Sequence, residues 1–190
     1  MSSDTKQHLI DTGKSIFARG SYEGLSMRTL AQSAGVASSV TYHHFKDKDV
    51  LLKSIFDSTN TKLGIERAAL KKPKSTLEAL TQRVNFQFDH AEDVVFVLKY
   101  YLHFRPTFAK LKNGYVPAKA YLHIEEVLKL GLEAGELDPN LNIEEQSKII
   151  THAINGFVLE YFPNPPKGKE RKELVDGIVT FIYRSIERRN

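Results

Sequence analysis

The sequence predicts an all-α chain of about nine helices, with a three-helix N-terminal domain followed by a larger C-terminal helical bundle. Three observations carry this reading. Apolar residues recur at helical spacing almost from end to end, no long alternating segment bounded by hairpin turns occurs, and Ser, Asn, Gly and Pro stand where helices must start and stop.

The first helix is expected over residues 5–19, with Leu9, Ile10, Ile16 and Phe17 on one face and Gly20 as its stop. Ser26 caps a second helix over residues 27–34, whose inward positions are Leu30 and Ala31, and Gly35 closes it. A third begins near Ser38. A fourth restarts after Phe45 and runs over residues 46–70, up to the boundary at Pro73. Ser75 and Glu78 have capping-box spacing and open a fifth helix ending near His90, and an apolar sixth over residues 93–104 is ended by Pro106. After the Asn113-Gly114 turn, Pro117 is placed to begin a seventh helix that Gly135 stops. Asn142 and Glu145 open the eighth, residues 163–166 break it after Phe162, and the ninth fills residues 169–189. No internal repeat interrupts this order. The expected domains are 1–48, a three-helix domain, and 49–190, a larger helical bundle joined to it by the long fourth helix.

Composition narrows the function classes. The 190 residues are 41% hydrophobic, enough for a sizeable core, and carry a formal net charge of +4 without a basic tail that would by itself announce nucleic acid. The absence of cysteine excludes disulfides, thiolate catalysis and Cys-based zinc sites. The opening "MSSDTKQHL" has no apolar signal core, and the longest apolar runs are too short to span a bilayer, so a cytoplasmic protein without a membrane partner is expected.

The informative stretch is "SMRTLAQSAGVASSVTYHHFKDKDVLL", residues 26–52. Two helices that cross steeply through a short turn need a residue tolerant of positive φ at the corner and small residues where the backbones approach. Gly35 supplies the first, and Ala31 and Ala34 the second. Thr41 and Phe45 then point inward, leaving Ser38, Ser39, Val40, Tyr42, His43 and His44 on the open face of the third helix. These types suit a DNA major groove: hydroxyls bond to bases or phosphates, Val40 meets a thymine methyl, and the histidines donate to phosphate oxygens. Arg28, Lys46 and Lys48 flank that face as backbone clamps, and the helix starts at Met27 and Lys46 aim amides at phosphates.

With the "ARGSYEGL" turn before it, the stretch resembles the DNA-binding domain of the tetracycline-repressor (TetR) family of bacterial regulators, over about residues 9–52. The resemblance implies a homodimer that reads a palindromic operator, and a C-terminal domain that binds a small molecule and dimerises through its last two helices. By position it implies that Arg28, Thr29, Ser38, Ser39, Val40, Tyr42, His43 and Lys48 touch DNA. Ser39-Val40-Thr41 departs from the Gly-Thr-Leu or Gly-Thr-Ile of many members, so operator sequence does not transfer. Thr41 at a normally aliphatic position is also expected to weaken the packing beneath the third helix if its hydroxyl finds no partner.

In the C-terminal two-thirds, aromatic residues including Phe108 and Tyr115 crowd the middle of the chain. Phe86, Phe96, Tyr100, Phe104, Tyr121 and Phe157 are the candidates for a hydrophobic or aromatic effector, with core filling as the rival role for each ring. His123 and Glu126 have i, i+3 spacing, but no metal-binding run accompanies them, so no metal and no cofactor is expected. Ile150, Ile154, Phe157, Val158, Tyr161, Val175, Ile178, Ile182 and Ile186 lie on broad apolar stripes of the last two helices and are the candidate dimer interface, with Gly156 and Gly177 permitting close approach. The expected function is a ligand-responsive regulator, most simply a repressor that a hydrophobic effector releases from DNA. A helical protein-interaction module is the first alternative. A helical-bundle enzyme is the second, although no nucleophile constellation or phosphate loop is present.

Overall fold

A computed structural model of the chain describes residues 3–108 and 120–188. Among the described residues there are nine helices and no strand: α1 (Ser3–Arg19), α2 (Met27–Ser33), α3 (Ser38–His44), α4 (Lys48–Ala68), α5 (Thr76–Asp89), α6 (Ala91–Phe108), α7 (Ala120–Glu133), α8 (Ile143–Tyr161) and α9 (Gly168–Ile186). The expected all-α architecture is the one observed. The Asn113-Gly114 turn, the helix start at Pro117, Tyr115 and the side chain of Phe108 lie outside the described residues.

Helix ends follow local chemistry. The Ser75 hydroxyl accepts from the Glu78 N–H at 3.2 Å, but the Glu78 carboxylate turns back to the Lys74 N–H, one residue beyond the expected box partner. Asn142 caps α8 by accepting from the Glu145 N–H at 3.2 Å. α4 begins at Lys48 and not at Lys46, because Asp47 accepts from the Val50 N–H at 2.9 Å and fixes the cap there. α6 runs through Pro106, which was expected to end it. A proline that close to a C-terminus removes only one backbone bond of the last turn, so the helix continues to Phe108.

The chain forms two compact units, Met1–Ala69 with Glu92–Tyr115, and Leu70–Ala91 with Val116–Asn190. The first contains α1 to α4 and nearly all of α6. α1 packs on α2 and α4, and α2 on α3. Leu9, Phe17, Leu30, Phe45, Leu51, Leu52, Ile55 and Phe56 fill its core, whereas Ile16 is only half-buried. An aromatic ladder from α6 completes that core. Phe96 meets Phe17 edge-on at 5.4 Å, Tyr100 stacks on Phe56 at 4.3 Å, and Phe104 follows Tyr100 at 4.6 Å. α6 is also fastened to α1 by polar contacts. Asp93 bridges Lys14 and Lys62, and the Lys99 ammonium donates to the carbonyls of Ala18 and Gly20 at the end of α1.

In the second unit α5 lies against α7, α8 and α9, and α7 packs along α8. Leu80, Val84, Ile154, Val158, Ile178 and Ile182 are buried in this bundle. Buried Gln87 donates to Asn155 at 2.8 Å, linking α5 to α8, and Arg171 of α9 reaches Asn85 and Asp89 of α5. Among the described residues no helix is long and apolar enough to cross a membrane.

Candidate nucleic-acid interface

The α2–α3 pair is built by reciprocal caps and one glycine. The Ser26 hydroxyl accepts from the Thr29 N–H at 3.0 Å while Thr29 Oγ1 accepts from the Ser26 N–H at 2.8 Å, a capping box in which threonine replaces the usual Glu. At the other end Gly35 takes φ +67, which lets the Val36 N–H reach the Ala31 carbonyl at 3.0 Å and turns the chain into α3. A side chain there would strain the backbone.

Thr41 and Phe45 are buried beneath α3 as expected. The Thr41 hydroxyl donates to the Ser38 carbonyl at 2.7 Å, so the feared unsatisfied polar group does not exist. On the opposite face Ser38, Ser39, Tyr42 and His43 are exposed, and Val40 and His44 are half-exposed. The His43 and His44 rings lie 5.1 Å apart. Arg28 and Lys46 are exposed beside this face. Such a convex helix, lined with short hydroxyls, a phenol and imidazoles and flanked by cations, has the size and donor set for a major groove.

Three expected contacts sit differently. The Thr29 hydroxyl is already engaged in the α2 cap, where it also donates to the Gly24 and Ser26 carbonyls. The amides expected at Lys46 are replaced by a helix start whose cap is the Asp47 carboxylate. Lys48 is drawn inward. Its ammonium donates to the Tyr22 carbonyl at 2.8 Å and lies 3.4 Å from the centre of the Tyr22 ring. Tyr22 in turn donates its hydroxyl to Asp49 at 2.6 Å, and that bond, with partial burial, pushes the phenol up to about 12. Neither Tyr22 nor its stacking partner His103, whose ring is 3.8 Å away, was identified from sequence, because both lie outside the helix pair.

The effector candidates divide between the units. Phe96, Tyr100 and Phe104 belong to the aromatic ladder of the first unit. In the second, Phe86 is buried against His90 at 4.4 Å, Tyr121 is half-buried under Lys148, and Phe157 is 37% exposed on α8.

The dimer candidates need a correction. Ile150, Ile154, Val158, Val175, Ile178, Ile182 and Ile186 are each at most 4% exposed within a single chain, so they are core residues of the bundle around α5 and not a docking surface. Tyr161 is half-buried, edge-on to Phe88 at 6.2 Å. The candidate Phe157 is exposed on α8, as are Ile149 and Gly156, and on α9 Gly177 and the 72% exposed Phe181 face solvent. A Cβ added at Gly156 or Gly177 would meet nothing within 4 Å. The chain's own packing therefore requires neither glycine.

Comparison with known proteins agrees with this geometry. The model of the bacterial regulatory proteins of the tetR family matches residues 9–55, which span α1 to the first half of α4. The transcriptional regulator AcrR of Shigella flexneri is 24% identical over 94% of this chain and 88% of its own length. The fatty acid metabolism regulator protein of Bacillus subtilis is 26% identical over 84% of each chain. Among solved structures, the fatty acid degradation regulator FadR from Bacillus halodurans superposes with a TM-score of 0.73 at 19% identity, over 96% of both chains. A regulator from Agrobacterium tumefaciens gives 0.74 at 15% identity, over 97% of this chain and 98% of its own. Each of these relatives is named as a regulator, and the family model lies on the helix-turn-helix, so residues 9–55 carry the N-terminal domain of the bacterial regulatory proteins of the tetR family.

Proposed function

We propose that the protein is a ligand-responsive repressor that binds a palindromic operator as a homodimer and leaves it when a hydrophobic or aromatic effector binds. The observation that carries this is the exposed face of α3, where Ser38, Ser39, Tyr42 and His43 stand clear of the core on a helix fixed by the Gly35 corner. In this reading Ser38, Ser39, Val40 and His43 meet base edges, and Arg28, Tyr42, His44, Lys46 and Lys48 meet the backbone. Two copies must place their α3 helices about 34 to 36 Å apart, or a multiple of that, to enter successive major grooves.

The second copy docks on the exposed stripe of α8 and α9, around Gly156, Phe157, Gly177 and Phe181. Apolar area of this kind is left on a bundle surface where a partner covers it, and bare glycines allow helices to approach closely. The effector works by favouring a state with the two α3 helices at the wrong separation. A coupling of about 1 to 3 kcal/mol reduces DNA affinity about 5- to 150-fold. Two relatives named as regulators of fatty acid metabolism or degradation support an acyl or similarly greasy effector. The wealth of aromatic residues supports the same class.

Selection of genomic DNA fragments by the purified protein, repeated across salt concentrations, tests the reading. A recovered palindrome with a steep salt slope supports it, and acyl or aromatic compounds should then release that fragment. Sequence-blind binding with little salt dependence would favour the protein-interaction alternative.

A further inference from the structure

Lys48 is the first residue of α4, where the positive end of the helix dipole disfavours a cation. Its ammonium is nevertheless fixed, by the Tyr22 carbonyl at 2.8 Å and by the Tyr22 ring at 3.4 Å. The half-buried ring has three further neighbours. His103 of α6 stacks on it at 3.8 Å with an interplanar angle of 18°, Phe104 of α6 meets it edge-on at 6.1 Å, and Asp49 accepts its hydroxyl. An ammonium and an imidazole this close to one ring centre cannot share a face, so Lys48 and His103 occupy opposite faces of Tyr22. A lysine on a free stem must lose rotamer freedom to clamp a phosphate, whereas one already seated on a ring has lost it beforehand. The ring that seats it is backed by a different helix from the one that carries the lysine.

We infer that Tyr22 and His103 are positioning residues for DNA binding: His103, stacked on Tyr22, keeps that ring where it presents the Lys48 ammonium to the DNA backbone, and displacement of α6 at His103 releases it. The inference rests on the DNA-binding reading and adds to it a defined route from α6 to one phosphate contact. Neither residue touches DNA; both act through Lys48. The remaining N–H of Lys48 makes the contact, and α6 decides whether that lysine is seated or loose.

Two measurements on the full-length protein test this. Lysine-selective 13C NMR, with the Lys48 resonance assigned by its loss in Lys48→Arg, reports the seat directly, because a ring current shifts protons above Tyr22 upfield. The shift should vanish in Tyr22→Leu, shrink in His103→Ala and persist in His103→Phe, which keeps a stacking ring. Fluorescence anisotropy with a mixed-sequence duplex about three turns long, across KCl concentrations, reports the phosphate contact. Lys48→Ala and His103→Ala should each lower the salt slope by about one per protomer, His103→Phe should restore it, and His103→Ala should change nothing further in a Lys48→Ala background. Additive losses in the double variant, or a Lys48 resonance that ignores His103→Ala, overturn the inference while DNA binding stands. A wild-type protein with no salt-dependent affinity for duplex overturns the DNA-binding reading, and the inference falls with it even if the NMR shifts behave as described.

Discussion

Asp93, buried in the first turn of α6, lies 2.5 Å from the ammonium of Lys14 in α1. Its other oxygen accepts from Lys62 of α4 at 3.0 Å, so one carboxylate ties three helices of the first unit together. Burial pushes the Asp93 carboxyl up, but the bonds from Lys14 and then Lys62 outweigh it and hold the group below the usual carboxylate range. A carboxyl depressed in the folded state stabilises the fold at any pH above its unfolded value of about 3.9. That stability is lost as pH falls through the folded value.

Asp93→Asn is therefore expected to destabilise the protein by about 3 kcal/mol at neutral pH, since it leaves the largely buried Lys14 without its counter-charge. Lys62→Met should cost much less, because the Lys62 side chain is 48% exposed. Urea titration at neutral pH measures both, and repeating it below about pH 4 should bring wild type and Asp93→Asn together. Parallel curves at every pH would show that the triad contributes nothing.

Thr41→Val exchanges a buried hydroxyl bonded to the Ser38 carbonyl for a methyl group. Losing that bond and gaining apolar contact nearly cancel, so the melting free energy should move by no more than about 1 kcal/mol in either direction. A large gain in stability would mean that the polar residue does weaken the packing beneath α3.

Gly177→Ala separates folding from assembly. Alanine in an exposed helix interior should stabilise the single chain by about 0.5 to 1 kcal/mol, because nothing lies within 4 Å of the added Cβ. The same methyl group should loosen a dimer packed on that glycine, and Phe181→Glu should dissociate it with helical circular dichroism unchanged. Sedimentation equilibrium reads the mass. A dimer indifferent to Phe181→Glu would place the partner elsewhere.

On the recognition face, Ser39→Ala should change preference at one position of the operator half-site, by about 1 to 3 kcal/mol between bases, because a base contact specifies. Arg28→Ala should weaken all sequences alike and flatten the salt slope by about one per protomer. Competition binding with a randomised half-site distinguishes the two patterns.

The helix-turn-helix was legible because its determinants are local. Ser26 and Thr29 cap within three residues, and Gly35 needs only its own φ. Seven of the nine dimer candidates prove to be core of the single chain, because burial against α5 and burial against a second copy demand the same residue types. Periodicity finds an apolar face but does not say which part of a wide one turns inward. Ile182 and Phe181 are adjacent in sequence, yet one is core and the other 72% exposed. Lys48 and Asp93 were illegible for a different reason. Their partners are 26 and 79 residues away, and neither spacing leaves a mark on the chain. Pro106 misled through a rule that holds in helix interiors and relaxes in a last turn.

The fastening of α6 to α1 has a consequence for building chimeric regulators. A graft that cuts after residue 48 and joins the first three helices to a foreign sensor would leave Phe17 without Phe96, Lys14 without Asp93 and the carbonyls of Ala18 and Gly20 without Lys99. Such a transplant would arrive with a bare aromatic socket and a lysine stripped of its carboxylate. A portable reading head must take α4 and α6 along, although the latter is encoded some forty residues further down the chain than the graft point.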